Sequence, residues 1–152
     1  MAILPSSGCE NLSLKIGKPR QIPFTATAYG GGSSCNGPWV GKNALGQSLK
    51  SGQISSAASD WSRLPLGTKF KVVETGRVYI VDDYGSAMVG LDKVDLYKPN
   101  YRDVYNWGVK KVHLEILHWG CFEKSLAVLK PRAKWGHVRR MVDDLAVLVG
   151  EG

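Results

Sequence analysis

Four aspartates stand where the surrounding sequence predicts β-strands. Asp60 follows a short strand-like stretch, Asp82 and Asp83 are adjacent at the end of another, and Asp95 lies within the strand-like segment 94–97. Aspartate is uncommon in strands, and carboxylates at strand ends beside glycine-rich loops often line a cleft, where they can donate and accept protons. The alternative is that each aspartate caps a turn. That alternative fits Asp95 least, because residues 94–97 are not a turn sequence.

The segment that begins at Gln21 can supply a polar wall for such a cleft. One of its faces is formed by Ile22, Phe24, Ala26 and Ala28, and the other by Thr25, Thr27 and Tyr29. Because successive side chains of a strand point to opposite sides, this alternation predicts a half-buried strand. We expect the hydroxyl groups of Thr25, Thr27 and Tyr29 to face the cleft.

Other short strands and turns must position these residues. The sequence predicts strands at residues 54–58, 69–74, 77–81, 94–97 and 112–117, with a hairpin joining the second and third of them. Glycine-rich residues 30–34 end the first strand, and the loop at residues 35–52 is long enough to be functional. A helix is expected over residues 101–107, capped by Asn100 and ended by Gly108. Many short strands with one brief helix indicate a small barrel.

The C-terminal residues 121–152 change to helical periodicity. A short helix is predicted from Phe122 to Leu129, before Pro131 interrupts the chain. Apolar residues then recur at helical spacing, at Trp135, Val138, Met141, Val142, Leu145 and Val149. The opposite side carries Lys134, His137, Arg139 and Arg140. Leaving the apolar stripe in water would forfeit roughly 1.5–3 kcal/mol per large side chain. We expect this helix, roughly residues 134–149, to dock on the barrel's outer surface, away from the aspartates; a dimer contact or an anionic surface is the alternative.

Composition limits the class of protein. The chain has 152 residues and a mass of 16.6 kDa, which suits one domain. It contains no apolar window long enough for a membrane span, and no heptad or fixed-period repeat. A formal charge of +7 favours polyanionic neighbours or serves solubility alone. Nucleic acid is not favoured, because the sequence shows no helix-turn-helix, zinc-knuckle or aromatic RNA-binding motif.

The cysteines and histidines suggest neither a metal nor a disulfide scaffold. Cys9, Cys35 and Cys121 are too far apart for a CxxC site, and they fit either three buried thiols or one disulfide with a leftover thiol. His113, His118 and His137 show no ligand pairing, so we expect no metal and no cofactor. No signal peptide is recognised at the N-terminus, and we expect residues 1–20 to form an arm on the domain or to be partly disordered.

Several motifs in a fixed order resemble the three-aspartate (3D) domain family of bacterial cell-wall enzymes. The family pattern runs T-A-T-A-Y, V-D-P-x-x-I-P-L-G-T, D-T-G-G-A-I-K-G and I-D-L-Y, and ends with a strand after N-W-G. The matching segments here are TATAY at 25–29, DWSRLPLGT at 60–68, DYGSAMVG at 83–90, VDLY at 94–97 and NWG at 106–108. The resemblance covers about residues 22–118 and places Asp60, Asp83 and Asp95 at the three namesake positions.

This chain departs from the family pattern at several points. Trp61 replaces the proline, and Tyr84 and Ser86 are among the substitutions in the third motif. The interval between Asp83 and Asp95 is one residue longer than in the family pattern. Asp82 stands directly beside Asp83, so either of the two could face the cleft.

The resemblance implies both a fold and an activity. The fold is mainly β, a small six-stranded double-psi β-barrel at residues 21–120, with an N-terminal arm at 1–20 and a C-terminal helical extension at 121–152. The family shares this barrel with membrane-bound lytic transglycosylase A. The implied activity is that of a peptidoglycan lytic transglycosylase, which cleaves the β-1,4 bond between N-acetylmuramic acid and N-acetylglucosamine and leaves a 1,6-anhydro end.

The resemblance also assigns roles to residues. Asp95 matches the position of the general acid/base, and Asp83 and Asp60 would orient it and hold substrate hydroxyls. The expected substrate-binding residues are Thr25, Thr27, Tyr29, Tyr84, Gly85 and Ser86. Glycoside cleavage needs an acid that protonates the leaving oxygen, and a transglycosylase can then use the same group to take a proton from the attacking C6 hydroxyl of the sugar. Like-charged carboxyl neighbours or burial can raise the pKa of that acid.

Two other functions stay open at this point. A non-catalytic, expansin-like barrel that binds peptidoglycan or another polysaccharide would present aromatic platforms such as Trp39, Trp61 and Tyr84. A polysaccharide hydrolase would need a second carboxylate to activate water, and Asp82 or Asp92 could serve. For the leading hypothesis we expect peptidoglycan strands as the partner, a monomer, and an extracytoplasmic location, with the signal peptide absent from this sequence.

Overall fold

The computed structural model describes residues 20–31 and 41–150 of the chain. Cys9, Cys35, Trp39 and nearly all of the expected N-terminal arm lie outside these residues. The strands are β1 (Gln21–Gly30), β2 (Ile54–Ala58), β3 (Lys69–Val72), β4 (Arg77–Asp83), β5 (Lys93–Lys98) and β6 (Lys110–His118). The helices are α1 (Tyr101–Trp107), α2 (Phe122–Leu129) and α3 (Gly136–Leu148), with a 3-10 turn at Lys130–Arg132 between the last two.

The six strands close into one barrel in the order β1-β5-β2-β4-β3-β6. Two neighbouring pairs, β1–β5 and β2–β4, run parallel, and the other four pairs run antiparallel. Alternate side chains fill the interior, among them Phe24, Ala26, Phe70, Val94, Leu96 and Leu114. The prediction of a mainly β, six-stranded barrel with a C-terminal helical extension is therefore confirmed.

Strand β4 contains an irregularity that decides the position of its two aspartates. Ala57 of β2 pairs with Val81, but Ala58 pairs with Asp83, so Asp82 is an extra residue in β4. An extra residue of this kind changes which side chains face each side of the sheet beyond it. Asp82 is consequently buried, whereas Asp83 is half-buried on the face that also carries Asp95.

Helix α1 closes one end of the parallel pair β1–β5. As predicted, the Asn100 side chain accepts a hydrogen bond from the backbone N–H of Arg102 (2.8 Å), and Gly108 ends the helix at a φ of 65°. Gly30, at the end of β1, has a φ of +115°, and a Cβ there would lie 2.4 Å from the backbone oxygen of Lys98. Only glycine allows β1 to pass this close to the end of β5.

The C-terminal extension packs its apolar stripe against the same core as the barrel. Val138, Met141 and Leu145 are fully buried, and Val142 and Val149 pack against them, as predicted. Trp135 does not join them: because α3 begins at Gly136, this residue precedes the helix and is 57% exposed. The expectation that Trp135 belongs to the buried stripe is wrong.

The extension also lies closer to the aspartates than the sequence predicted. Arg132 donates to the backbone oxygen of Ala44 (2.9 Å) and to the hydroxyl of Tyr84 (3.3 Å), and the His137 ring lies 6.1 Å from the Tyr84 ring. Tyr84 directly follows Asp83, so the extension supports the loop that leaves the aspartate. The expectation of a remote docking surface is therefore wrong.

Cys121 caps the N-terminus of α2 and is disulfide-bonded. Three free thiols are therefore excluded, while Cys9 and Cys35 lie outside the described residues. One turn further along α2, the Ser125 hydroxyl donates to the Cys121 backbone oxygen and accepts from the backbone N–H of Leu66 (2.9 Å). The second hydrogen bond ties the extension to the turn before β3.

Candidate functional site

Two half-buried carboxyl groups face the same side of the barrel wall. Ala58 of β2 is the register partner of both Asp83 on β4 and Asp95 on β5. Neighbouring strands are about 4.8 Å apart, so the backbones of the two aspartates are separated by roughly twice that distance, with one strand between them. The residue between them is Ala58, which is 3% exposed.

Asp95 is held by one hydrogen bond from the neighbouring strand. Thr27 is its register partner in the parallel pair β1–β5, and the Thr27 hydroxyl donates to Asp95 Oδ1 over 2.9 Å. The other oxygen, Oδ2, has no hydrogen-bond partner within the described residues. Burial raises the pKa of Asp95, while the Thr27 hydrogen bond and the Lys93 ammonium oppose that rise. Asp95 thus combines a raised pKa with a free oxygen.

Asp83 is held at both of its oxygens. Oδ2 accepts from the Tyr29 hydroxyl (3.1 Å) and Oδ1 accepts from the backbone N–H of Tyr84 (3.1 Å). Burial is the main cause that raises the pKa of Asp83 to about 6, the two hydrogen bonds lower it, and the charges of Asp82 and Asp95 raise it. The negative charge of Asp95 thus acts directly on the pKa of Asp83.

Tyr29 remains a proton donor in this environment. Burial raises its pKa first of all, and the negative charges of Asp83, Asp82 and Asp95 raise it further. A tyrosine with a raised pKa stays protonated at physiological pH, so its hydroxyl donates to Asp83. The edge of the Tyr29 ring meets Tyr97 of β5, with ring centroids 5.7 Å apart.

Asp82 is buried and binds residues of loop 41–50. Its Oδ2 accepts from the Ser56 hydroxyl (2.7 Å) and the Asn43 amide (3.1 Å), and Lys50 Nζ is 3.5 Å away. Its backbone oxygen accepts from Ala44 (3.2 Å). The question that the sequence left open is therefore answered: Asp83, and not Asp82, faces the side of the barrel that carries Asp95.

Asp60 shares no hydrogen-bond partner with Asp83 or Asp95 among the described residues, and both of its oxygens are bound by groups of its own turn and of Gly90. Its Oδ1 accepts from the backbone N–H (2.9 Å) and hydroxyl (2.7 Å) of Ser62, and its Oδ2 accepts from the backbone N–H of Gly90 (2.7 Å). Arg63 Nε lies 3.7 Å from the same Oδ2. Asp60 is 1% exposed, so it ties the end of loop 84–90 to the turn after β2 and offers no free oxygen to a ligand.

The expected substrate-binding residues of loop 84–90 are in three different environments. Tyr84 packs edge-on against Trp61 (5.2 Å between centroids) and under the C-terminal extension. Gly85 packs against Met88: a Cβ added at position 85 would lie 2.7 Å from the terminal carbon of Met88. Ser86 is exposed. Trp61 is fully buried and donates to the Asp83 backbone oxygen (2.8 Å), so its expected use as an aromatic platform is wrong.

Thr25 marks the other end of the polar row on β1. Its hydroxyl accepts from Lys111 Nζ (3.2 Å), and its register partner on β5 is Lys93. Thr25, Thr27 and Tyr29 thus form one row that faces a second row of Lys93, Asp95 and Tyr97. The sequence did not single out Lys93 and Tyr97, because only strand pairing brings them beside the threonines and tyrosine.

The described part of the chain was also compared with the side-chain clusters that hold metals and the helices that cross membranes. Within residues 20–31 and 41–150, no group of three or more His, Cys, Asp or Glu side chains could hold a metal ion. Among the same residues, no helix combines the length and the apolar character needed to cross a bilayer.

Asparagine at position 83 is expected to stabilise the protein at neutral pH and to have little effect in acid. The pKa of Asp83 is about 6 in the folded protein against an ordinary value of 3.8, so the folded state holds the proton more tightly. Stability is then greatest below about pH 4 and falls as pH rises through 6. We expect Asp83→Asn to raise the melting temperature at pH 7.5 but not at pH 4.

The control for this prediction is Asp144→Asn, an exposed aspartate of α3. It should change the melting temperature by a similar, small amount at both pH values. A stabilisation by Asp83→Asn that is the same at pH 4 and pH 7.5 would contradict the raised pKa.

Comparison with known proteins finds one family model and two relatives that match part of this chain. Residues 55–118, which run from β2 to the end of β6, match the family model described as the 3D domain. The chain is 34% identical over 100 residues to "Cell wall-binding protein YocH" of Bacillus subtilis (strain 168), covering 65% of this chain and 33% of that protein. It is 37% identical over 98 residues to "Putative cell wall shaping protein YabE" of the same organism, covering 64% and 23%. The chain therefore spans a third or less of these relatives.

Proposed function

We propose that this chain, whose residues 55–118 match the 3D domain family, is a cell-wall protein that cleaves peptidoglycan as a lytic transglycosylase. The bond broken is the β-1,4 bond between N-acetylmuramic acid and N-acetylglucosamine, and the product carries a 1,6-anhydro end. The observation that carries the proposal is the pair of half-buried carboxyl groups, Asp83 and Asp95, with raised pKa values on one face of the barrel.

Asp95 is the general acid/base in this proposal. A general acid must hold a proton near the working pH and must reach the leaving oxygen. Burial raises the pKa of Asp95, and its Oδ2 has no partner within the described residues, so it can approach the glycosidic oxygen. Both oxygens of Asp83 are already bound by Tyr29 and Tyr84, which leaves Asp83 less able to reach a substrate.

The same carboxyl group serves both halves of the reaction. In the first half, Asp95 gives its proton to the glycosidic oxygen, the bond to C1 breaks, and an oxocarbenium-like centre develops on the N-acetylmuramic acid ring. In the second half, the Asp95 carboxylate takes the proton of the C6 hydroxyl as that oxygen bonds to C1. Atoms balance without water, and the two products are a new sugar hydroxyl and a 1,6-anhydro ring.

Thr27, Tyr29, Asp83 and Asp60 act as positioning residues. Thr27 orients the Asp95 carboxyl, and Tyr29 holds Asp83 beside the strand that separates the two aspartates. Asp60 anchors Gly90 and therefore the shape of loop 84–90. A substrate lying along the paired rows of β1 and β5 would meet Thr25 at one end, Asp95 in the middle and Tyr97 at the other end.

The positions of two further aspartates argue against either of them as the second carboxylate of a hydrolase. A hydrolase needs a second carboxylate that activates water, and the sequence offered Asp82 and Asp92. Asp82 is buried under loop 41–50, and Asp92 is bound to the Arg63 guanidinium at 2.6 Å. Neither is placed to hold water opposite Asp95.

Product analysis tests the proposed reaction. Purified peptidoglycan is incubated with the protein, and the released muropeptides are analysed by mass. We expect fragments that end in 1,6-anhydro-N-acetylmuramic acid, which are lighter by one water than the corresponding reducing-end fragments. Reducing ends would indicate a hydrolase, and the absence of any released fragment would contradict catalysis.

A non-catalytic wall-binding role is the second candidate. The observation that favours it is that the two relatives are described as wall-binding and wall-shaping proteins. Such a protein would sediment with purified peptidoglycan but release nothing from it. Its binding would also be insensitive to Asp95→Asn.

The proposed substrate places the protein outside the cytoplasmic membrane. Two observations support this location: Cys121 is disulfide-bonded, as is common in oxidising compartments, and the formal charge of +7 suits a wall rich in carboxylates and other anionic polymers.

A further inference from the structure

A cavity of about 360 Å³ lies on the barrel beyond the aspartates. Its walls come from the end of β5, from α1, from the start of β6 and from β4. Tyr97 forms part of its lining and follows Asp95 by two positions on β5, which is about 7 Å along a strand. Tyr97 therefore belongs both to the cavity lining and to the row of residues that holds Asp95, although neither aspartate of the pair lines the cavity.

The charge of this cavity is strongly positive. Arg77, Lys98 and Lys110 line it, and Asp103 is the single carboxylate among its lining residues. None of the three cations forms an ion pair with a carboxylate within residues 20–31 and 41–150. Three cations against one carboxylate leave an excess of positive charge, which favours a negatively charged ligand group.

An aromatic ring holds two of these cations in place. The ammonium groups of Lys98 and Lys110 lie 4.8 Å and 4.2 Å from the centre of the Trp107 ring, within the range of cation–π attraction. The ring itself is fixed because Trp107 Nε1 donates to the backbone oxygen of Ala26 (3.1 Å). Lys98 Nζ also donates to the hydroxyl of the buried Tyr79 (3.2 Å). The positive groups are thus positioned before any ligand arrives.

We propose that this cavity binds a carboxylate of the peptide carried by a peptidoglycan strand whose sugar backbone lies at Asp95. This inference rests on the proposed function, because it assumes that the strand follows β5 from Asp95 towards Tyr97. The peptide carboxylates are the negative groups attached to such a strand. Arg77 suits this ligand, since a guanidinium can bind both oxygens of a carboxylate at once.

Binding of uncleaved strands to paired variants tests the inference. All proteins carry Asp95→Asn, so that the ligand stays intact, and the probe is purified peptidoglycan strands freed of phosphate-bearing polymers. The cavity variant is Arg77→Met with Lys110→Met, which leaves the Lys98 hydrogen bond to Tyr79 in place. The control is Lys124→Met with Lys134→Met, two exposed lysines of the C-terminal extension, one of which also lies near a tryptophan ring. Both pairs remove the same charge.

The cavity variant is expected to bind roughly tenfold more weakly than the control at low salt, with the difference shrinking as salt rises. Converting the carboxyl groups of the strands into amides should abolish that difference. Equal affinities of the two variants, a difference that survives amidation, or no binding by the parent protein would each overturn the inference.

The two proposals fail in different ways. If wild-type protein releases no anhydro fragment but the cavity variant binds strands more weakly than the control, the lyase proposal fails and the carboxylate site stands. If anhydro fragments form but the two variants bind equally, the carboxylate site fails and the lyase proposal stands.

Discussion

Replacing Asp95 by asparagine is expected to slow the release of anhydro-muropeptides by about 10²–10⁴-fold, the usual contribution of a general acid or base. The amide cannot give a proton to the leaving oxygen or take one from the C6 hydroxyl. The Thr27 hydroxyl can still donate to the amide oxygen, so the site keeps its geometry. Because burial raises the pKa of Asp95, the neutral asparagine should leave the melting temperature unchanged or slightly higher.

The matched control is Asp144→Asn on the exposed side of α3. It removes the same charge far from β5 in sequence and should release fragments at the wild-type rate. Activity of Asp95→Asn within a few-fold of wild type would sink the assignment of the acid to this residue. Loss of activity together with a large fall in melting temperature would instead point to a structural role.

Replacing Asp60 by asparagine is expected to destabilise the fold by about 3 kcal/mol. Two contributions make up this figure: one hydrogen bond to a charged group is lost, and one buried N–H is left without an acceptor. One oxygen can still accept from Ser62, but the new amide N–H₂ would meet the backbone N–H of Gly90, which is also a donor. For a chain of this size, the melting temperature should fall by roughly 6–12 °C.

This substitution separates two interpretations of Asp60. If Asp60 anchors the loop, thermal unfolding followed by circular dichroism will show the large shift, and Asp144→Asn measured alongside it will not. If Asp60 acts directly on the substrate, fragment release will stop while the melting temperature stays at the wild-type value. The second result would contradict the anchoring role.

The strands and their faces could be predicted from the sequence because they follow from local periodicity. Phe24 and Ala26 are buried, and Thr25 and Thr27 lie on the other face, as the alternation of β1 predicts. Every predicted strand is present within a few residues of its expected bounds, and the cap of α1 is Asn100. Alternation, turns and caps each depend on residues that are close in the chain.

The aspartates could also be found from the sequence, but their different environments could not. The motifs placed Asp60, Asp83 and Asp95 in one set, yet Asp60 binds the backbone of its own loop and of Gly90, while Asp83 and Asp95 flank Ala58. That difference depends on which strands are neighbours. Closure of the barrel sets this order, and it brings together residues tens of positions apart.

The sequence by itself determined the elements, their buried faces and the aspartate motifs of this protein, because each is encoded within a few neighbouring residues. Only the tertiary structure decided that Asp83 rather than Asp82 joins Asp95, since the extra residue in β4 becomes visible when β2 pairs with it. Only the tertiary structure gathered Arg77, Lys98 and Lys110 into one cavity. Register and strand order are collective properties of the closed sheet, so no local pattern of residues encodes them.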